Sequence, residues 1–142
     1  MKTIGIIGFG EIGQGLNKVY VDNGFTPLIK DLDRDDNLDE VDVLNICIPF
    51  STSFVRDVKH YLYELNPGIA IIHSTIPPGT THEISIDYPN VVHSPVRGLH
   101  PNLDTGIKTF VKVFGGIEAT RAAKHFEHDL GVDTCVYESS RA

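Results

Sequence analysis

Apolar residues in this chain come in short runs divided by turn residues, and the runs switch between a two-residue and a helical period. Ile4, Ile6 and Ile7 predict a strand over Thr3–Gly8. Ile12, Leu16 and Val19 recur at helical spacing, predicting a helix over Glu11–Asp22 that Asn23-Gly24 stops. Thr26–Asp31 reads as a second strand. Asp31–Glu40 (DLDRDDNLDE) is polar and acidic, and reads as a solvated loop. Val41–Pro49 is a continuous apolar strand of the kind buried on both faces of a parallel sheet. A helix over Ser51–Leu65 carries the stripe Phe54, Val58, Leu62 and Leu65, with Ser51 or Ser53 as its cap. Ile69–Thr75 is a fourth strand, and a short helical segment after Pro77-Pro78-Gly79 runs to Asp87. Asn90–His93 and Thr109–Phe114 read as strands five and six. A helix over Ile117–Leu130 turns Ala122, Ala123, Phe126 and Leu130 inward, and Val132–Tyr137 is the last strand.

Strands alternating with helices predict an α/β fold: a Rossmann-like, doubly wound, mostly parallel sheet in three layers. With 142 residues the chain reads as one domain. The first and third strands should be neighbours, with the second on the far side of the first. That order opens a crevice at their carboxyl ends, where open α/β sheets bind ligands.

Candidate chemistry concentrates at that crevice. Gly8-Phe9-Gly10-Glu11-Ile12-Gly13 is G-x-G-x-x-G between a strand and a helix. Gly8 permits the sharp turn, Gly10 permits close approach of a pyrophosphate, and Gly13 lets the helix pack against the strand. The helix N-terminus favours an anion. Asp31 lies 18 positions beyond Gly13, close to the roughly 20 expected of an acid that holds the adenosine ribose hydroxyls. The pattern points to NAD as the dinucleotide cofactor.

Charge and composition narrow the partners. The formal net charge is −7, which argues against nucleic acid and against an acidic membrane surface. No apolar run approaches the roughly 20 residues that span a bilayer. Met1-Lys2 leads directly into a strand, which reads as no export signal. Cys47 and Cys135 sit in apolar runs and are expected as buried reduced thiols, so the expected compartment is the cytoplasm. Among the seven histidines, His125 and His128 share a helix face, which reads as solvated because no third ligand is placed for a metal. His73 reads as a core histidine bonded to a backbone carbonyl.

Further segments carry a resemblance. Cys47-Ile48-Pro49, Ser74-Thr75-Ile76-Pro77-Pro78-Gly79-Thr80, Ser94-Pro95 and Phe114-Gly115-Gly116 follow the glycine motif in that order. The series resembles the N-terminal NAD-binding domain of the UDP-glucose/GDP-mannose dehydrogenase family, within the wider 6-phosphogluconate dehydrogenase-like superfamily. The resemblance implies an oxidoreductase-type domain followed, in that family, by a linker helix and a second domain. It implies cofactor contacts at Gly8, Gly10, Gly13 and Asp31, at Ile48 and Pro49, and at Ser74 and Thr75. Phe9, Glu11, Ile12 and Phe50 belong to the same loops and complete the candidate cofactor set. The chain departs from the family where its second and third strands are joined by a shorter connection. The segment after Ser94-Pro95 lacks the family's acids, and the family's catalytic cysteine and lysine have no counterpart in this sequence.

Arg97 and His100 lie in the loop after the fifth strand. Two cationic-capable groups there suit an anionic substrate; the alternative is that Arg97 pairs with a local acid such as Asp104. No residue is assigned as catalytic. Two readings stand side by side: the cofactor domain of a nucleotide-sugar dehydrogenase-like enzyme, or a non-catalytic dinucleotide-binding module that works as a homodimer or with a separate catalytic chain.

Overall fold

The computed structural model describes residues 1–96, 107 and 111–137. In chain order its elements are β1 (Ile4–Ile7), α1 (Glu11–Asp22), β2 (Leu28–Asp31), β3 (Arg34–Asp35), β4 (Val43–Ile46), α2 (Phe54–Leu65), β5 (Ile69–Ile72), α3 (Thr80–Ser85), β6 (Val91–His93), β7 (Lys112–Gly115), α4 (Ala119–Leu130) and β8 (Thr134–Tyr137). The strands form one sheet in the order β3-β2-β1-β4-β5-β6-β7-β8. The core pairs, β2–β1, β1–β4, β4–β5 and β5–β6, are parallel. The pairs β2–β3 and β6–β7 are antiparallel. The fold is therefore α/β and Rossmann-like, with β1 between β2 and β4 as the alternation predicts.

Strand periodicity sorts the core into two layers. Ile4, Ile6, Val43, Ile69 and Ile71 face α1 and α4, against Leu16, Val19, Tyr20 and Phe126. Ile7, Leu44, Ile46, Ala70 and Ile72 face α2 and α3, against Phe54, Val58, Leu62 and Ile84. Both faces of the central strands are buried, which explains their nearly continuous apolar runs, broken on β4 by buried Asn45.

Several expectations change. The polar stretch after β2 is not only a loop: Arg34–Asp35 pairs back on β2, with Asp31 opposite Arg34, and Leu38 is buried. Ser53 stands at the cap position of α2, but its hydroxyl donates to the Asp57 carboxylate and accepts no helix backbone N–H. Cys135 is exposed, because β8 is an edge strand with one open side. His125 is buried rather than solvated, since its side of α4 packs on Tyr20. The strands are shorter than the apolar runs, which continue into buried loop residues such as Val41 and Cys47.

Candidate functional site

The loops leaving β1, β4 and β5 converge at the carboxyl edge of the sheet. Gly8 turns the chain with φ +89°, and a Cβ there would sit 2.8 Å from the Cys47 carbonyl oxygen. A Cβ on Gly13 would collide with the Gly8 carbonyl oxygen. Those two glycines are thus required by the packing of turn, strand and helix. Gly10 differs. It caps α1 with no side-chain hydrogen bond, and a Cβ there would meet nothing within 4 Å. The open side of the turn is at Gly10, at the N-terminus of α1, a kind of position that suits an anion.

A cavity of about 430 Å³ lies against that open side, lined by Gly10, Glu11, Ile12, Cys47, Ile48, Pro49, Phe50, Ser74 and Thr75. The cavity joins three stretches that are far apart in sequence. Ser74 ties two of them together through its hydroxyl, which donates to the Ile48 carbonyl. Phe50 is 45% exposed and its ring lies 5.5 Å from that of Phe54, which fixes an apolar wall. Phe9 is half-buried in the turn, and its carbonyl accepts from the Gln14 side chain at 2.9 Å.

Asp31 does not line this cavity. It sits exposed at the end of β2, one strand away, opposite Arg34. The basic groups beside it are already paired: Lys30 with Asp35 at 2.7 Å and Arg34 with Asp36 at 2.8 Å. Hydrogen bonds from Arg34 and the Ile29 backbone hold the Asp36 carboxyl below its usual range. Arg97, His100 and Asp104 lie outside the described residues.

Behind the cavity is a buried polar cluster that the sequence reading missed in part. Cys47 lines the cavity, and burial pushes its thiol up to about 12, against a smaller opposing effect of Lys112. Such a thiol is not a thiolate near neutrality. Lys112 is buried on β7, donates from Nζ to the Ser94 carbonyl at 2.9 Å, and lies over the rings of Phe126 and Phe114. Burial lowers its pKa to about 7. The sequence held a signal for it: Lys112 is two positions before inward Phe114 on the same strand. His73 is buried as expected, and beside a backbone hydrogen bond at Ser94 its Nε2 meets the Asn45 side chain at 2.7 Å. Burial, then the positive charge of Lys112, keeps His73 well below its ordinary range. No His/Cys/Asp/Glu cluster suited to a metal occurs among the described residues.

Comparison with solved structures defines the architecture. The UDP-D-ManNAc dehydrogenase from Pyrococcus horikoshii superposes with a TM-score of 0.79 at 18% identity, over 97% of this chain and 47% of its own. The Mycobacterium tuberculosis 3-hydroxyisobutyrate dehydrogenase gives 0.76 at 19%, over 100% of this chain and 56% of its own. The prephenate dehydrogenase from A. aeolicus, solved with hydroxyphenyl propionate and NAD+, gives 0.71 at 15%, over 99% and 60%. The chain has the fold of these dehydrogenases. It spans about half the length of each. No protein-family model and no curated protein matches it.

Proposed function

We propose that this chain is an NAD-binding domain of an oxidoreductase related to the nucleotide-sugar dehydrogenases. The observation that carries this reading is the cavity beside Gly10. A glycine whose missing Cβ no protein atom requires stands at an uncapped helix N-terminus, next to a cavity built from three sheet-edge loops. A pyrophosphate fits there because backbone N–H groups and the helix dipole face it. In this reading Gly8, Gly10 and Gly13 shape the turn, and Glu11 and Ile12 begin the helix under the phosphates. Ile48, Pro49 and Phe50 form the apolar wall, Ser74 and Thr75 border the nicotinamide end, and Asp31 takes the ribose hydroxyls. NAD, when bound, supplies the hydride-accepting ring. The chain itself orients the cofactor and keeps one side of it dry.

Cys47 gives no nucleophile for oxidation through a covalent thiohemiacetal, because its buried thiol stays protonated. That observation favours a division of labour: this domain holds the cofactor, and a further domain or a partner chain, including a second copy, supplies substrate chemistry. Arg97 and His100 are proposed as contacts to an anionic substrate, and the cytoplasm as the compartment. No described helix is long and apolar enough to cross a membrane. The test is an amide NMR titration with NAD. Shifts should gather at residues 8–13, 48, 50 and 74–75; shifts elsewhere only, or none, would refute the assignment.

A further inference from the structure

The opposite, amino edge of the sheet carries a second and larger cleft, of about 910 Å³, between the starts of β1, β4 and β5 and one face of α4. Arg121 and Lys124 line it from α4, three residues apart and so on one helix face. Lys2 faces it from the start of the chain, and Asp42 and Asp129 also border it.

The acids of this cleft are already engaged. Asp42 accepts from the Thr3 backbone N–H at 2.8 Å and from the Thr3 hydroxyl at 3.2 Å. Asp129 takes Lys2 at 2.6 Å and the His125 Nδ1–H at 2.8 Å. Lys2 is held by Asp129, but the two cations on α4 are not engaged to the same degree. Arg121 reaches Glu118 only at 3.6 Å and the Gly68 carbonyl at 3.4 Å, both at the long limit of useful contact. Lys124 has no ion-pair or hydrogen-bond partner among the described residues. A chain of net charge −7 therefore places two under-used cations, Arg121 and Lys124, in this cleft of about 910 Å³.

A second observation ties the cleft to the core. The Asn45 amide donates to the Gly5 carbonyl at 3.3 Å and to the Tyr20 oxygen at 3.0 Å. Tyr20 must then give its own proton to His125 Nε2, 2.7 Å away, which leaves the His125 proton on Nδ1 facing Asp129. From Asn45 through Tyr20 and His125 each donor points toward Asp129, and Lys2 is the exposed group at the end of this series. An anion that draws Lys2 away from Asp129 is felt at once by His125.

We propose that this cleft is a second ligand site, separate from the carboxyl-edge cavity, that binds a small polyanion bearing phosphate or carboxylate groups through Arg121, Lys124 and Lys2. The guanidinium offers a two-pronged contact and the ammonium groups offer point charges, the usual recognition of such anions. Amide and histidine-ring NMR spectra of the whole chain, titrated separately with inorganic pyrophosphate and with citrate, test it. Saturable shifts at residues 2, 43, 69, 121 and 124, with a shift of the His125 ring, are expected from at least one probe. Pyrophosphate alone assigns phosphate, citrate alone assigns carboxylate, and both assign polyanions in general. Arg121→Gln with Lys124→Gln, both on an exposed helix face, should weaken binding at least about ten-fold. Gly10→Val should leave it unchanged, which separates this site from the proposed cofactor site. Shifts confined to residues 8–13, shifts that never saturate, or equal affinity in the double variant would overturn it.

Discussion

At the scale of single residues, the glycine motif divides into two roles that the sequence pattern does not separate. Gly8 and Gly13 are held by packing against backbone, whereas Gly10 faces open space. Gly13→Ala should therefore destabilise the fold by about 1–3 kcal/mol through overpacking. Urea denaturation would measure this, and an unchanged midpoint would contradict the tight contact with Gly8. Asp31 governs a second outcome. The nearby Lys30 and Arg34 are engaged by Asp35 and Asp36 and offer little to a ribose phosphate. We expect NAD to bind at least about ten-fold tighter than NADP, with Asp31→Asn weakening NAD and narrowing that gap. Calorimetry with both cofactors decides it; equal or tighter NADP binding removes Asp31 from its assigned role. The motif and Asp31 were legible in sequence because they are local. The pairing of Arg34 and Lys30 was not, because it depends on a two-residue strand that an acidic run hides.

At the scale of elements, the apolar runs identified the central strands and helices, and the buried polar groups within those runs carried the unread information. Asn45 lies between Val43 and Cys47 on the α1 face, so its inward direction follows from strand period. Its partners do not. Tyr20 and His125 are 105 positions apart and meet only when α1 and α4 pack on the same side of the sheet. Tyr20→Phe keeps the ring contacts but removes the shared hydroxyl, leaving His125 Nε2 unpaired and Asn45 with one fewer acceptor. A loss of about 1–3 kcal/mol is expected from the orphaned groups. Denaturation of Tyr20→Phe at neutral pH measures it, and stability equal to the original chain would show that water or repacking replaces the bond. The metal reading of the His125/His128 pair is disfavoured on the same grounds, since His125 already uses both ring nitrogens.

At the scale of the whole molecule, buried bases set how stability depends on pH. Lys112 has a folded pKa of about 7 against an ordinary 10.5. The unfolded chain therefore binds more protons between those values, and stability falls as pH drops from about 10.5 to about 7 and stays low below that. Lys112→Met, which keeps most of the apolar stem and removes the charge, should raise the melting temperature, most at pH 6 and least above pH 10. A variant less stable than the original at pH 6 would mean that the Ser94 hydrogen bond and the ring contacts of Lys112 outweigh the cost of burying its charge. His73, His93 and His125 are all lowered by burial. Their contribution is present above the unfolded value of 6.5 and is lost as pH falls below it. Of these groups His125 lines the amino-edge cleft, and His73 directly precedes Ser74 of the carboxyl-edge cavity.

Calorimetric titration of NAD into the chain and into Gly10→Val decides whether the carboxyl-edge cavity beside Gly10 holds the proposed dinucleotide. A Cβ at Gly10 strikes no protein atom, so the variant should keep its far-ultraviolet circular dichroism. The branched valine fills the space that the pyrophosphate needs. Saturable binding to the original chain is expected, with at least about ten-fold weaker binding, roughly 1.4 kcal/mol, to the variant. No binding to the original chain, or equal binding to a folded Gly10→Val, would contradict it.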